Sequence, residues 1–168
     1  SKDGTEVPMF IVRRKDMPMN GDNPTLLYGY GGFNVSLTPT FNPTIVPWLD
    51  AGGVYVVANL RGGGEYGEDW HRSGMQGSKQ NVFDDFYACA EWLIANKYTS
   101  SRRLAIEGGS NGGLLMGAVL TQHPDIARAV IAEVPVLDSL RVELHPNGAF
   151  NVTEFGTVED PDLFEAMY

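Results

Sequence analysis

The chain has 168 residues, enough for one domain with a sizeable core, and its 43% apolar content excludes a disordered chain. Twelve Lys and Arg against 21 Asp and Glu give a formal charge of −9, which excludes the basic face that a nucleic-acid backbone requires. No apolar run approaches the roughly 18–20 residues of a membrane helix, and the single Cys89 excludes a disulfide within the chain. Neither nucleic acid nor membrane is therefore an expected partner. One unpaired cysteine suits a reducing compartment, so the cytoplasm is the expected location.

Lys2-Asp3-Gly4-Thr5 reads as a tight turn feeding a strand over Val7–Arg13. The turn Asn20-Gly21-Asp22-Asn23-Pro24 precedes an apolar strand over Thr25–Tyr30, and Gly29, Gly31 and Gly32 open a loop rich in Pro and Thr. Ile45–Ala51 fits a short helix. Gly53–Leu60 is apolar and rich in β-branched residues, which predicts a strand covered on both faces. The glycine-rich stretch from Arg61 to Gly77 reads as loop. Asn81 is expected to cap the next helix, with Asp84 and Asp85 in its first turn. Phe83, Phe86, Tyr87, Ala90 and Ile94 follow at helical spacing as core positions, and Cys89 falls in the same pattern.

Arg103–Glu107 predicts a strand, and Gly113–Gln122 a helix stopped by His123-Pro124-Asp125. Ala129–Val136 predicts another buried strand, and Pro161 to Tyr168 starts like a helix. This alternation implies an α/β fold, a mostly parallel sheet with helices on both faces. Ligands in such sheets sit beyond the carboxyl ends of the strands. The opening turn has no strand before it and the last helix stops early. The chain is therefore expected to be a fragment of a longer protein.

The segment Leu104-Ala-Ile-Glu-Gly-Gly-Ser-Asn-Gly-Gly-Leu-Leu115 joins a strand to a helix through Gly108-x-Ser110-x-Gly112. A serine hydroxyl becomes a nucleophile when a turn exposes it and a base removes its proton. The glycines allow that sharp turn, so Ser110 is the candidate nucleophile. Acyl transfer places negative charge on the carbonyl oxygen, and donors must be aimed there. The backbone N–H of Asn111, at the start of the following helix, supplies one. A second is expected from Tyr28-Gly-Tyr-Gly-Gly-Phe33, where glycines allow close backbone approach and tyrosine hydroxyls are donors.

Three motifs in order, Tyr28-Gly-Tyr-Gly-Gly-Phe33, Asn59-Leu-Arg-Gly-Gly-Gly-Glu-Tyr-Gly-Glu68 and Gly108-Gly-Ser-Asn-Gly-Gly-Leu-Leu115, resemble the catalytic domain of the prolyl oligopeptidase family. The resemblance runs from Ser1 to about Val136. It implies an α/β-hydrolase fold, incomplete in this chain, and a serine peptidase acting on oligopeptides. Residues 1–168 would be part of one such domain, without the family's β-propeller and without the C-terminal part of the catalytic domain. It also implies Ser110 as nucleophile, with the Asn111 N–H and the Tyr30 hydroxyl as oxyanion donors. Phe33 and Val136 would line the pocket for the residue before the scissile bond. Prolyl endopeptidases of the family place a tryptophan after this point to stack on proline. Asn151 falls near that position, with Phe150 or Phe155 as a substitute apolar wall. Neither a cofactor nor a metal is implied.

A serine hydrolase also needs a histidine base and an acid to orient it. By resemblance both belong to strands beyond this chain. Asp138 and His145 have the right order after Ser110, but no strand lies between them to return the histidine to the site, so a surface aspartate and a loop histidine are the preferred reading. His71 reads as a residue that packs or caps its loop. Gly62-x-Gly64-x-x-Gly67 follows a strand as in a dinucleotide fingerprint, yet Asp69-Trp70-His71 is expected to continue as loop. Glu65, Glu68, Asp69 and His71 lack a metal-ligand spacing. The expected activity is peptide hydrolysis through an acyl-enzyme on Ser110, after proline, with little activity in the fragment alone. The alternatives are an esterase or other acyl hydrolase, and a non-catalytic module of the same fold.

Overall fold

The computed structural model describes residues 1–167, and the alternation of side chains across its strands decides where the core lies. The strands are β1 (Met9–Val12), β2 (Thr25–Tyr28), β3 (Val54–Ala58), β4 (Leu104–Gly109) and β5 (Ala129–Glu133). They form one sheet in the order β1-β3-β2-β4-β5, in which β1 runs antiparallel to β3 and the other pairs are parallel. Leu27, Val54, Val56, Ala58, Leu104 and Ile106 point to one face and are closed to solvent. They meet Val82, Phe86, Ala90 and Leu93 of α3 (Gln80–Ala95) and Leu115, Met116 and Val119 of α4 (Asn111–Gln122) in a single cluster. Each large side chain in it contributes about 1.5–3 kcal/mol through burial.

The other face carries Leu26, Tyr28, Tyr55, Val57, Ala105 and Glu107, all half-buried. Beside Tyr28, Tyr55 and Val57 lie residues 36–42 and Ile45. The short α1 (Val46–Asp50) follows, with Trp48 Nε1 donating to the Val54 carbonyl at 2.9 Å. The strand expected over Gly53–Leu60 is thus closed on one face and half-open on the other. Gly4 N donates to the Ser1 carbonyl, which closes the opening turn, and Asp3 reaches Arg61. Arg61 is buried and also binds the fully buried Asp85 through Nε and Nη2. These carboxylates hold its guanidinium in the charged form against the cost of burial.

Three expectations are corrected. Ala129–Val136 is not a buried strand within the described residues: β5 ends at Glu133, pairs there with β4 alone, and exposes four of its five residues. An apolar run reports hydrophobicity, not how many neighbours a strand has. Asn81 is not the cap of α3, which begins one residue earlier, after Lys79; the Asn81 amide donates instead to the Ser73 carbonyl at 2.9 Å. The stretch from Arg61 to Gly77 is not all loop. It holds α2 (Glu68–Arg72), too short to show a hydrophobic period, and a 3-10 turn at Gln76–Ser78. After β5 come 3-10 segments at Ser139–Leu144 and Gly148–Asn151, then α5 (Val152–Phe155) and α6 (Pro161–Met167). Tyr168, the last residue of the helix expected there, lies outside the described residues.

Candidate active site

β4 ends at Gly109 and α4 begins at Asn111, so Ser110 makes the whole turn, at φ 56° and ψ −114°. A side chain in that region costs about 1–3 kcal/mol and persists only where the surroundings enforce it. Here they do. The Ser110 N–H donates to the Glu133 carbonyl at 2.8 Å, and its carbonyl accepts from the N–H groups of Gly113 at 2.9 Å and Leu114 at 3.1 Å. The residue itself stays exposed. The flanking glycines are steric necessities. A Cβ on Gly112 would lie 2.6 Å from the Gly29 carbonyl oxygen, and one on Gly108 would collide with the Gly112 carbonyl.

Asn111 is buried, and its backbone N–H lies in the first turn of α4, where such groups have no acceptor within the helix. Its side-chain amide donates to the Tyr30 carbonyl at 2.7 Å, while its Oδ1 is buried with no hydrogen-bond partner among the described residues. Tyr30 is half-buried against the same turn: a Cβ on Gly112 would sit 3.5 Å from Tyr30 Cδ2. Burial, and then Glu154 and Tyr28, push the Tyr30 phenol above its ordinary range. The hydroxyl therefore keeps its proton at neutral pH and can donate it to a hydrogen bond. The loop holding Tyr30 is set by a backbone crossing, because a Cβ on Gly62, at φ 87°, would lie 2.5 Å from the Gly31 carbonyl oxygen.

Phe33 stacks on Phe150 with centroids 5.4 Å apart and meets Phe155 edge-on at 5.6 Å. Val136 and Phe155, with Lys79 and Leu114, line a groove of about 500 Å³. Phe155 thus links the two residues expected to line a substrate pocket. Asn151 is half-buried in the turn before α5. Asp138 and His145 are not brought to Ser110. The Asp138 carboxylate binds Arg141 through both oxygens, at 3.0 and 3.1 Å, and His145 is exposed. Among the described residues, no hydrogen bond joins the Ser110 hydroxyl to a histidine.

A helix does follow Gly62-x-Gly64-x-x-Gly67, contrary to the sequence reading. It opens with Glu68 and Asp69, however, which would repel a phosphate. Glu65 is turned toward the Leu37 N–H and the Asn59 amide, and Glu68 binds Arg72. Sequence reasoning missed a buried set altogether. Glu154 accepts from Lys79 Nζ at 3.0 Å, and its other oxygen lies 2.9 Å from His71 Nε2. One signal was available: Glu154 is the lone charge in Gly148-Ala-Phe-Asn-Val-Thr-Glu-Phe155, and a charge among apolar neighbours needs a partner.

Residues 39–168 match the model of the prolyl oligopeptidase family. A prolyl endopeptidase of Elizabethkingia meningoseptica is 48% identical over 168 residues, covering 99% of this chain and 24% of its own. A prolyl oligopeptidase of Omphalotus olearius is 50% identical over 169 residues, covering 100% of this chain and 23% of its own. A solved structure from a study of two prolyl endopeptidases has a TM-score of 0.98 at 59% identity, over 99% of this chain and 25% of that one. A post-proline cleaving enzyme from Rickettsia typhi has a TM-score of 0.95 at 43% identity, over 98% and 24%. The chain spans about a quarter of the length of these relatives. The similarity continues past Val136, where the motif resemblance stops, through the segment that holds Phe150 and Glu154. With its mostly parallel sheet and this breadth of likeness, the chain has the α/β-hydrolase fold and belongs to the prolyl oligopeptidase family.

Proposed function

We propose that Ser110 is the nucleophile of a serine peptidase that cleaves short peptides on the carboxyl side of proline. The observation that carries this reading is the strained, doubly anchored turn at Ser110, with the Asn111 N–H and Tyr30 beside it. The Ser110 hydroxyl attacks the scissile carbonyl, and its proton passes to a histidine base. The Asn111 N–H and the Tyr30 hydroxyl stabilise the resulting oxyanion. Collapse expels the amine, protonated by the same histidine, and leaves an acyl-enzyme that water then hydrolyses.

Phe33 and Val136, joined through Phe155, form the pocket for the residue before the scissile bond. Their apolar surfaces suit a proline ring, and Phe155 supplies an aromatic wall near Asn151. The histidine and its orienting acid come from outside residues 1–168. Supporting this, Asp138 is engaged by Arg141 and no histidine engages Ser110 among the described residues. Residues 1–168 alone are expected to show almost no turnover.

The test uses the full-length protein, a fluorophosphonate probe and a peptide with proline before a chromogenic amide. Ser110 is expected to label, and Ser110→Ala should lower kcat by about 10⁴- to 10⁶-fold. Labelling or turnover that survives Ser110→Ala defeats the reading. Hydrolysis of esters without peptides would favour an acyl hydrolase instead.

A further inference from the structure

Tyr30 is gripped at two successive carbonyls. Asn111 Nδ2 holds its own, at 2.7 Å, and Lys79 Nζ holds that of Gly31, at 3.0 Å. Lys79 comes from a different segment, just ahead of α3, and its side chain is only 13% exposed. An ammonium so placed loses most of its hydration, a cost that a surface lysine avoids. Glu154, 2% exposed, offsets that cost at 3.0 Å and is itself held by His71 Nε2. An ammonium has three donors. Two are directed at Gly31 and Glu154, and the Phe155 ring faces the nitrogen at 5.4 Å. Burial pulls the ammonium below its ordinary range, while Glu154 opposes that shift.

The connections of this set run toward the candidate site. Gly32 separates the Asn111 amide from the Glu154 carboxylate: a Cβ there would lie 2.5 Å from Asn111 Nδ2 and 2.9 Å from Glu154 Oε1. Phe155, next in sequence to Glu154, leans on Phe33. We propose that Lys79, balanced by Glu154, is a positioning residue: it fixes the Gly31 carbonyl, aims the Tyr30 hydroxyl at the oxyanion, and ties that loop to the Phe155 wall. Among the described residues no hydrogen bond joins Lys79 to Ser110, and Lys79 lines the same groove as Val136 and Phe155. The proposal rests on the peptidase reading above.

The experiment compares full-length wild type, Lys79→Met and the double variant Lys79→Met/Glu154→Gln, assayed with the proline-containing chromogenic peptide well below each melting temperature. Lys79→Met leaves a buried carboxylate without its cation and lowers the melting temperature. The double variant removes both charges, and a neutral pair of similar volume restores most of that loss. The Gly31 carbonyl still lacks its donor. The double variant is therefore expected to melt near wild type, with kcat reduced at least about tenfold and KM within about threefold. A double variant with wild-type kcat overturns the proposal, as does a kcat loss that recovers in step with stability. Should the double variant not fold, Lys79→Arg decides. It keeps a cationic donor and is expected to hold kcat within about tenfold of wild type, and a folded but inactive Lys79→Arg overturns the proposal. A wild type silent toward both peptide and fluorophosphonate defeats the peptidase reading itself; an active wild type beside a fully active double variant defeats only the positioning role.

Discussion

The two sides of the candidate site are built from different material. Around Ser110, main chain lies on main chain: Gly112 against Gly29, Gly62 against Gly31, and the Ser110 N–H on the Glu133 carbonyl. Across from it, the 148–155 wall is held by side chains, through the rings of Phe33, Phe150 and Phe155 and the Lys79–Glu154 pair. Backbone contacts leave no room for a methyl group. Ring contacts tolerate exchange for rings of other size. Geometry is therefore fixed where a tetrahedral intermediate would form, and adjustable where a side chain would be selected.

The sharpest way to break this contrast is to add one carbon on the backbone side. Gly112→Ala places a Cβ 2.6 Å from the Gly29 carbonyl oxygen, which no side-chain rotation can relieve. It is expected to cost about 3 kcal/mol in urea unfolding and to abolish fluorophosphonate labelling of the full-length protein. A stable, labelling Gly112→Ala would mean the backbone side is as pliable as the wall.

Within the wall, burial separates two rings. Phe155 is 6% exposed and Phe150 is 72% exposed, though both touch Phe33. Phe155→Ala should destabilise by about 3 kcal/mol and raise KM. Phe150→Ala should change stability by less than about 0.5 kcal/mol while still raising KM for the proline peptide. Equal stability losses in the two would erase the distinction between a buried ring and an exposed one.

The same contrast explains what could be read from the sequence. The strand, turn and helix around Ser110 were legible because a backbone crossing demands glycine, and glycine at fixed spacing is visible in one dimension. The core face of α3 was legible from its period, and β3 was legible as a strand from its β-branched run, although that run did not tell which face would close. The burial of β5 was not, because Ala129–Val136 looks alike whether one neighbour or two pair with it. Neither was α2, five residues long among glycines. The bond between Lys79 and Glu154 spans 75 positions, and a lone acid tells that a partner exists without telling which. Asn81 looked like a cap because its type favours caps, yet a carbonyl in the preceding loop captured its amide.

One acid on β4 supplies the smallest effect. Glu107 pairs in register with Tyr28 and points away from Ile106 and the closed core, into the half-open face. Burial first, and then Glu133, push its carboxyl above the ordinary glutamate value of 4.5. A folded-state value above the unfolded one means the folded chain favours the protonated acid. That contribution is fully present below the unfolded pKa and is lost as pH rises through the folded one. Wild type should therefore lose stability relative to Glu107→Gln as pH rises from about 4 toward neutrality, and the two should converge again in acid. Urea midpoints of both proteins across that range measure it. Because the strand's path is set by its ladder and glycines, Ser110 should label at the wild-type rate in Glu107→Gln throughout. A pH-independent stability difference would remove the electrostatic account of Glu107. A changed labelling rate would show that the backbone side of the site depends on charge as well as on steric fit.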